Sequence, residues 1–375
     1  MSEPIRVLHI VSSMGMGGIQ TYLMSLYRAI DCNEVQFDFL IHMPTNDGFE
    51  EEIRQMGGRI FYQPKLTGKN LIPYEKKFCT FLQKHPEYQI VHIHIRSAAV
   101  ACALGAKREG RYVVVHSHST TNGYGCAAVI KNIAQFPIRY LGDYFMGCSQ
   151  IANEWMFGKR VANSDKCRVI YNGIDISRFR FSAEMRKQKR AELGIAENEQ
   201  LIGNVGRLVE QKNQELLIRA FALAYKKNPS LRLTIAGDGP LAQHLHEVAK
   251  ELGREKEILF LGNRKDVPEL LQAFDVFVMP SKNEGLGIAA VEAQAAGLPC
   301  VVSEAVPEEA LVVKQIVRCC GNSPEKWAAA IREVKEGRFE NGEKAVRDAG
   351  YDIHIVAKEL SDFYLEKAKE GVSKN

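Results

Sequence analysis

The sequence predicts an α/β protein built from two Rossmann-like domains, each with a parallel sheet, and two observations carry this prediction. Short apolar strands alternate along the chain with small-residue turns and amphipathic helices, a pattern typical of parallel βαβ units. The pattern starts again near residue 200, which in a chain of 375 residues indicates two domains. We expect domains over 1–177 and 178–350, followed by an amphipathic helix in the segment 351–375.

Each expected strand is an apolar run that ends in a turn signal. In the first half we expect strands at 7–11, 35–41, 90–95 and 112–115. In the second half we expect strands at 201–205, 231–236, 258–261, 276–279 and 300–302. The junction is expected near 172–175 and along the charged, apolar-poor stretch 182–200.

Composition excludes several classes of protein. Apolar residues make up 46% and charged residues 25%, which excludes a disordered chain, a collagen and a coiled coil. The net charge of +4 is too small to indicate a nucleic-acid partner. Nine cysteines without a C-x-x-C pair argue against a zinc ribbon and a disulfide framework. No signal peptide or apolar span is visible, so a cytoplasmic location is expected.

Two loops that follow strands could hold an anion. Gly15-Met16-Gly17-Gly18 precedes a helix, where backbone N–H groups and the helix dipole favour negative charge, although a plain structural turn is the alternative. In Gly206-Arg207-Leu208-Val209-Glu210-Gln211-Lys212, an Arg and a Lys five residues apart could clamp two phosphates. Solvated surface charges are the alternative there.

A third loop, PSKNEGLGIAAVE over 280–292, places two carboxylates around a helix start. The N–H groups from Gly285 to Ile288 could hold a phosphate. Glu284 and Glu292 could each accept the hydroxyls of a sugar or ribose diol. The structural alternative for Glu292 is a helix-start residue favoured by the dipole.

Glu284 and Glu292 reproduce the E-x7-E signature of the retaining glycosyltransferases of family four, and the surrounding segment PSKNEGLGIAAVEAQAAGLP resembles that family. The resemblance continues through GMGGIQTYL, YNGID, GNVGRLVEQKN, AGDGP and FLGNRKDVPELLQAFDVFVMPS, so it covers both halves. The HSHS segment resembles the branch that builds bacterial exopolysaccharides, lipopolysaccharides and capsules. The resemblance implies the GT-B fold, in which two Rossmann-like domains face each other across a cleft, and a C-terminal helix that returns to the first domain.

The resemblance also implies roles for individual residues. Arg207 and Lys212, after Gly206, would hold the donor diphosphate. Glu284 would contact the donor sugar and Glu292 the ribose. The other implied binding residues are Gly17 and Gly18 for the donor phosphate, Asn263 and Arg264 in the loop that receives the base, and Gly285, Leu286, Gly287 and Ile288 for phosphate and sugar.

A cleft histidine of the family follows a strand of the first domain. His116 is the first choice and His118 the second, and the two share a face if the strand continues through both. Taken without the family, a histidine at this place is more often structural. Two residues depart from the family pattern: Asn213 stands where many members have Gly, and Gln20 stands where many have Glu.

The function expected from this resemblance is transfer of a hexose-type sugar from a nucleotide sugar, with UDP the commonest nucleotide, to a glycan or a polyprenyl-linked glycan, with retention. No cofactor or metal is expected, and the sequence contains no Asp-x-Asp. Residues 1–172 carry 19 basic and 14 acidic residues, so peripheral association with a membrane is an option. The alternatives are a UDP-sugar 2-epimerase, a Rossmann oxidoreductase and a non-catalytic sugar-nucleotide-binding protein.

Overall fold

The computed structural model describes residues 3–15, 17–45, 48–67, 70–118, 126–334 and 337–372. The chain divides into two compact units. The first unit contains residues 1–174 and 352–375, and the second contains residues 175–351. The first unit is therefore built from two separate stretches of chain.

Both units contain one sheet of parallel strands. The first sheet has seven strands in the order β3-β2-β1-β4-β5-β6-β7, and the second has six in the order β10-β9-β8-β11-β12-β13. The strands are β1 (Ile5–Val11), β2 (Val35–Ile41), β3 (Ile60–Tyr62), β4 (Ile90–Ile93), β5 (Tyr112–Ser117), β6 (Tyr144–Gly147), β7 (Cys167–Val169), β8 (Gln200–Val205), β9 (Leu231–Ala236), β10 (Ile258–Phe260), β11 (Val276–Met279), β12 (Cys300–Ser303) and β13 (Ile316–Cys319).

Helices connect the strands and cover the sheets. They are α1 (Gly18–Ala29), α2 (Glu50–Gln55), α3 (Leu71–Lys84), α4 (Ala99–Arg108), α5 (Cys126–Gln135), α6 (Ile138–Leu141), α7 (Gln150–Phe157), α8 (Lys159–Ala162), α9 (Ala183–Glu192), α10 (Gln214–Tyr225), α11 (Ala242–Glu251), α12 (Val267–Ala273), α13 (Ile288–Ala295), α14 (Pro324–Glu333), α15 (Gly342–Asp348) and α16 (Ile353–Val372). Among the described residues, no helix combines the length and apolar composition needed to span a bilayer.

The prediction of two Rossmann-like parallel-sheet units is confirmed. The central strands are fully buried in both sheets because helices cover both faces, and this burial produces the continuous apolar runs seen in the sequence. Four strands were not predicted: β3, β6, β7 and β13. Three of them lie at sheet edges, where side chains are only partly buried and no apolar run is required.

The expectation that the charged stretch 182–200 belongs to the junction is wrong. It contains helix α9, which begins at a Ser182 cap and packs on α12 inside the second unit. Two of its charged side chains form ion pairs with Asp275: the guanidinium of Arg186 lies 2.5 Å from one carboxylate oxygen, and that of Arg190 lies 3.1 Å from the other. The positive side chains therefore anchor the helix to the sheet rather than marking a solvated linker.

Helix α16 completes the core of the first unit. It packs against α1, β1, β2 and β4 and buries Leu360 and Tyr364 completely. Where the chain leaves and re-enters this unit, Ile174 pairs with Asp352, and the Ile353 N–H donates to the Ile174 carbonyl at 3.0 Å.

Candidate functional site

The strand orders indicate where each unit would hold a ligand. In both sheets the order reverses between the first and fourth strands, at β1/β4 and at β8/β11. Loops that leave the carboxyl ends of two such neighbouring strands diverge and open a crevice, which is where open α/β sheets bind ligands. The loops singled out in the sequence follow β1, β8 and β11, so they lie at these two points.

In the second unit, the loops after β8 and β11 are joined by hydrogen bonds. The Lys282 N–H donates to the Gln211 carbonyl at 2.8 Å, and the Gln211 side chain donates to the Asn283 carbonyl at 2.7 Å. Lys282 also pairs with Glu210 across the same two loops. The residues 206–213 and 280–288 therefore form one continuous wall.

Lys212 and Glu284 meet inside this wall. The Lys212 Nζ lies 2.6 Å from Glu284 Oε1, and the exposed fractions of the two side chains are 23% and 7%. Arg207, by contrast, is exposed, and within the described part of the chain it forms no ion pair. The structure thus places Arg207, Lys212 and Glu284 on the same pair of loops. The Arg207 guanidinium is open to solvent, whereas the Lys212 ammonium is paired with Glu284.

Helix α13 begins at this wall. Its N-cap Gly287 has φ +87°, a left-handed conformation that favours glycine. The first-turn N–H groups of a helix lack intrahelical acceptors and carry the positive end of its dipole. Leu286, the residue before this N-cap, has a buried side chain. The segment from Gly285 to Ile288 therefore presents an anion-binding helix start beside Lys212.

Glu292 lies one turn further along α13. Burial raises the pKa of its carboxyl group to about 7, and Arg178 acts in the opposite direction. A carboxylate with such a pKa is close to half protonated at neutral pH, so hydroxyl groups that donate to it would favour its charged form.

Asn213 explains one departure from the family pattern. It is the one non-glycine residue with positive φ in the described part of the chain, at +55°. Its side chain donates to the Pro280 carbonyl at 3.3 Å. Since asparagine tolerates the left-handed region better than other side chains, it can replace the glycine found in many relatives.

The loop after β9 supports the loop that carries Arg207. The Leu208 N–H donates to the Asp238 carbonyl at 3.0 Å. Gly237 has φ +140°, and a Cβ atom there would lie 2.0 Å from the Gly206 carbonyl oxygen. Only glycine fits this close approach, so Gly237 fixes the position of the loop that carries Arg207.

We expect Gly237→Ala to lower the free energy of unfolding by roughly 2 kcal/mol or more, because backbone atoms must move and the strained φ remains. The matched control is Gly262→Ala: its φ is +63°, but a Cβ there has open space, so only the smaller backbone strain applies. Urea unfolding of both variants tests this, and equal losses would contradict the close-approach argument.

The two predicted residues after β10 differ in their surroundings. Asn263 is exposed. Arg264 is bound to Asp266 through two hydrogen bonds of 2.7 and 2.6 Å and to Glu192 at 3.0 Å, which raises the pKa of its guanidinium and lowers that of Asp266. In this structure, therefore, Arg264 ties its loop to α9 and its charge is already compensated.

In the first unit, Gly17 caps α1 and Gly18 begins it. A Cβ at Gly18 would meet no atom within 4 Å, so this backbone is open to a close approach. The Gln20 amide donates to the Ser13 carbonyl at 3.1 Å and folds over the loop. Gln20, the second departure from the family pattern, thus braces the glycine turn.

His116 and His118 share a face, as the alternation of a strand requires. Their rings stack with centroids 4.1 Å apart. His116 is 1% exposed, and neither of its ring nitrogens has a hydrogen-bond partner among the described residues. His118 is partly exposed and lies just beyond the end of β5. The structure therefore reverses the order of preference: His118 is the more accessible histidine.

The sequence analysis missed three further histidines on this face: His9 on β1, His92 on β4, and His94 directly after β4. The ring centroids of His92 and His94 are 4.2 Å apart, and those of His94 and His116 are 5.3 Å apart. Burial lowers the pKa of all five imidazoles, to about 3 for His9 and His118. The motifs HIH and HSH place histidines two residues apart at the ends of β4 and β5, but neither motif shows that these two strands are neighbours.

Comparisons with known proteins identify the class to which this fold and these loops belong. Residues 185–351 match the family described as glycosyl transferases group 1, and residues 16–178 match the family described as glycosyltransferase family 4. The chain belongs to the group 1 glycosyltransferases and is an enzyme that transfers sugars.

Its relatives include EpsF of Bacillus subtilis (strain 168), named as a glycosyltransferase, which is 34% identical over 312 residues covering 82% of this chain and 81% of EpsF. An Escherichia coli protein, named UDP-Gal:alpha-D-GlcNAc-diphosphoundecaprenol alpha-1,3-galactosyltransferase, is 27% identical over 80% of this chain and 79% of its own length. Anabaena HepE in complex with UDP and glucose shares the fold, with a TM-score of 0.79 at 21% identity over 96% of this chain and 100% of that chain.

These similarities support sugar transfer in polysaccharide biosynthesis and do not favour the epimerase alternative.

Proposed function

We propose that this enzyme transfers a hexose-type sugar from a UDP-sugar to a hydroxyl group of a lipid-linked glycan, with retention of the anomeric configuration. The observation that carries the proposal is the arrangement at the β8/β11 crevice, where Arg207, Lys212 and the start of α13 converge. A diphosphate is the ligand whose charge this set of donors matches.

The chemical problem in such a transfer is the departure of the nucleoside diphosphate. Negative charge grows on the leaving phosphate as the sugar becomes oxocarbenium-like, and fixed positive groups lower the energy of that state. Arg207 is open to solvent and can reach a phosphate without breaking an existing ion pair. Lys212 supplies a second charge, and the N–H groups of α13 supply a third source of positive potential.

Glu284 and Glu292 would bind the hydroxyl groups of the donor. Glu284 is held in place by Lys212, so its orientation is set before the sugar arrives. Glu292 would accept the ribose diol, and its raised pKa means that ribose binding is coupled to loss of a proton. In the first unit, His118 would offer a hydrogen-bond donor to a sugar hydroxyl, and the open backbone at Gly18, beside Gly17, suits an anion. Front-face attack, with the leaving phosphate accepting the proton of the incoming hydroxyl group, needs no protein nucleophile and no metal.

The choice of UDP and of a lipid-linked acceptor is supported by relatives. The E. coli relative is named for a UDP-galactose donor and a diphosphoundecaprenol acceptor, and HepE is described with UDP and glucose. The rival proposal, a non-catalytic sugar-nucleotide-binding protein, predicts the same binding without release of UDP from a UDP-sugar in the presence of acceptor.

Thermal unfolding with UDP, GDP, ADP and NAD, each with and without EDTA, tests the donor proposal. UDP at about 100 times its dissociation constant should add about 2.7 kcal/mol of stability, and EDTA should not change this. Arg207→Ala should remove most of the shift, whereas Lys227→Ala, in the exposed turn after α10, should keep it. Stabilisation by NAD alone would overturn the assignment, and stabilisation by GDP or ADP would change the donor.

An apolar surface on the first unit fits a lipid-linked acceptor. Val129, Ile133, Phe136 and Tyr140 recur at intervals of four, three and four residues along α5 and α6 and are between 49% and 77% exposed. Arg139 lies over the Phe136 ring at 4.6 Å. Exposed apolar side chains on one helical face beside a cation are typical of helices that lie at a membrane interface.

We expect the enzyme to co-sediment with vesicles that contain anionic lipid, and less so at high salt. Ile133→Ser should weaken this binding several-fold by removing buried apolar area. Ile355→Ser, an equally simple loss of an exposed isoleucine on α16, should not. No co-sedimentation at low salt would remove the membrane part of the proposal and leave the transferase part intact.

A further inference from the structure

Three of the five clustered histidines form one hydrogen-bonded chain. His118 Nε2 lies 2.9 Å from His94 Nδ1, and His94 Nε2 lies 3.0 Å from His9 Nδ1. The two ends of this chain are His118 Nδ1 and His9 Nε2, and neither has a hydrogen-bond partner among the described residues. Burial lowers the pKa of all three imidazoles, so each ring is neutral at physiological pH.

The chain allows only two arrangements of protons. A neutral imidazole has one N–H and one bare nitrogen, and each internal hydrogen bond uses one N–H. Three rings therefore supply two protons to the internal bonds and one proton to an end. Either His118 Nδ1 carries that proton or His9 Nε2 does, and no single ring can change its tautomer without the other two.

The surroundings of the two ends favour the first arrangement. His9 is completely buried, with its ring centroid 4.1 Å from that of Phe37 and 5.6 Å from that of Phe39. An unpartnered N–H is rarer in protein interiors than an unpartnered acceptor. At the other end, the Asn172 side chain acts to raise the pKa of His118, against the larger lowering by burial. The Oδ1 atom of Asn172 has no hydrogen-bond partner among the described residues, so an oxygen acceptor is available at this end.

A metal ion is the obvious alternative occupant of these nitrogens, because His9, His92 and His94, and also His94, His116 and His118, bring ligand atoms within 4.8 Å of one another. Both groups consist of histidines only, so a divalent cation would be buried without an anionic ligand. The nearby charge that acts on His92 and His116 is that of Arg168, which is also positive. An uncompensated buried charge is costly, so this environment favours hydrogen bonds between neutral rings.

We infer that His9 and His94 are positioning residues that fix His118 as the Nδ1–H tautomer, so that His118 offers a hydrogen-bond donor at the carboxyl end of β5. The ligand it suits is an oxygen acceptor such as a sugar hydroxyl or phosphate oxygen. The identity of that acceptor rests on the proposed function, whereas the tautomer rests only on the histidine chain.

Nitrogen NMR of the full-length protein labelled with ¹⁵N-histidine tests the tautomer directly, since bare and protonated ring nitrogens differ widely in chemical shift. In the unliganded enzyme we expect Nδ1–H and bare Nε2 for His118, His94 and His9. A bare Nδ1 in His118 would overturn the inference.

Variants separate a tautomer effect from a packing effect. In His94→Phe we expect His118 to be a mixture of its two tautomers, because no ring N–H at position 94 donates to the His118 Nε2 any longer. His94→Gln should restore the Nδ1–H form, because the amide oxygen can accept from His9 while the amide N–H donates to His118. His92→Phe is the matched control, as His92 is equally buried but bonds Tyr364 at 2.6 Å rather than the chain. Unchanged His118 signals in both position-94 variants would overturn the inference.

Kinetics provide a second readout. Relative to wild type, His94→Phe should lower kcat for sugar transfer about tenfold while UDP affinity stays within twofold, since UDP is held by the second unit in the proposed function. Recovery of kcat in His94→Gln would match the NMR result. If UDP does not bind the wild-type protein, the proposed function fails but the tautomer result stands. If UDP binds and the tautomers differ from those expected, only the inference fails.

Discussion

Acidification from pH 7.5 to 5.5 should destabilise the first unit by about 5 to 6 kcal/mol. Four fully buried histidines, His9, His92, His94 and His116, have folded-state pKa values far below the unfolded value of about 6.5. Above pH 6.5 both states are neutral and stability does not change. Below it the unfolded chain binds protons that the folded unit does not, so each histidine removes about 1.4 kcal/mol by pH 5.5.

Such a loss is comparable with the total stability of many domains, so unfolding of the first unit should precede that of the second. The two tryptophans allow each unit to be followed, because Trp155 lies on α7 in the first unit and Trp327 is a buried residue of α14 in the second. In Trp327→Phe, fluorescence reports the first unit, and in Trp155→Phe it reports the second. Urea titrations at pH 7.5, 6.5 and 5.5 should show a falling midpoint mainly for Trp155.

His116→Phe provides the control for this prediction. Among the described residues, neither ring nitrogen of His116 has a hydrogen-bond partner, so a phenylalanine should be tolerated there at pH 7.5. Between pH 7.5 and 5.5, the variant's first unit should lose about 1.4 kcal/mol less stability than that of the wild type. A Trp155 midpoint that is independent of pH between 7.5 and 5.5 would contradict the assignment of neutral, buried rings.

Lys212→Met should reduce sugar transfer by about 10² to 10³-fold, because it removes one of the fixed charges proposed to stabilise the leaving phosphate. It should also lower the free energy of unfolding of the second unit by about 3 kcal/mol, since the buried Glu284 loses its ion pair with Lys212 at 2.6 Å. Turnover of a UDP-sugar and urea unfolding followed by Trp327 measure the two effects.

A double mutant separates stability from chemistry. Lys212→Met combined with Glu284→Gln removes both charges. The free energy of unfolding should therefore recover by about 1 to 2 kcal/mol relative to Lys212→Met, while turnover stays low. The matched control is Lys282→Met, which breaks the exposed ion pair with Glu210 between the same two loops and should cost less than about 1 kcal/mol. Turnover that recovers with stability would show that Lys212 acts on folding alone.

The buried strands could be predicted from the sequence because one physical requirement produces their pattern, and the loops singled out in the sequence lie at the two points where the strand order reverses. A strand covered on both faces favours apolar residues throughout, as in β11, which was predicted with the bounds it has. The edge strand β7 has no such requirement, and its three residues are only partly buried. Helix α9 was read as linker because its charged side chains bind Asp275, a partner 85 or more positions away.

The histidine cluster shows a different reason for failure. Each of its residues looks ordinary in its own strand, since a single buried histidine is common. Its chemistry depends on β1, β4 and β5 being neighbours, which follows from the strand order and not from any one motif. Tyr364 could not have been assigned to it, because that residue reaches His92 from a helix 272 positions later.

The division of the first unit between residues 1–174 and 352–375 has a consequence for synthesis on the ribosome. The strands of that unit emerge early, but the face that carries the histidines stays uncovered until α16 has been translated. The second unit is continuous, so it can fold completely while the first waits with an open apolar face. During this interval the exposed apolar face favours aggregation, so damage to α16 should lower the yield of protein even when every loop of the candidate site is intact.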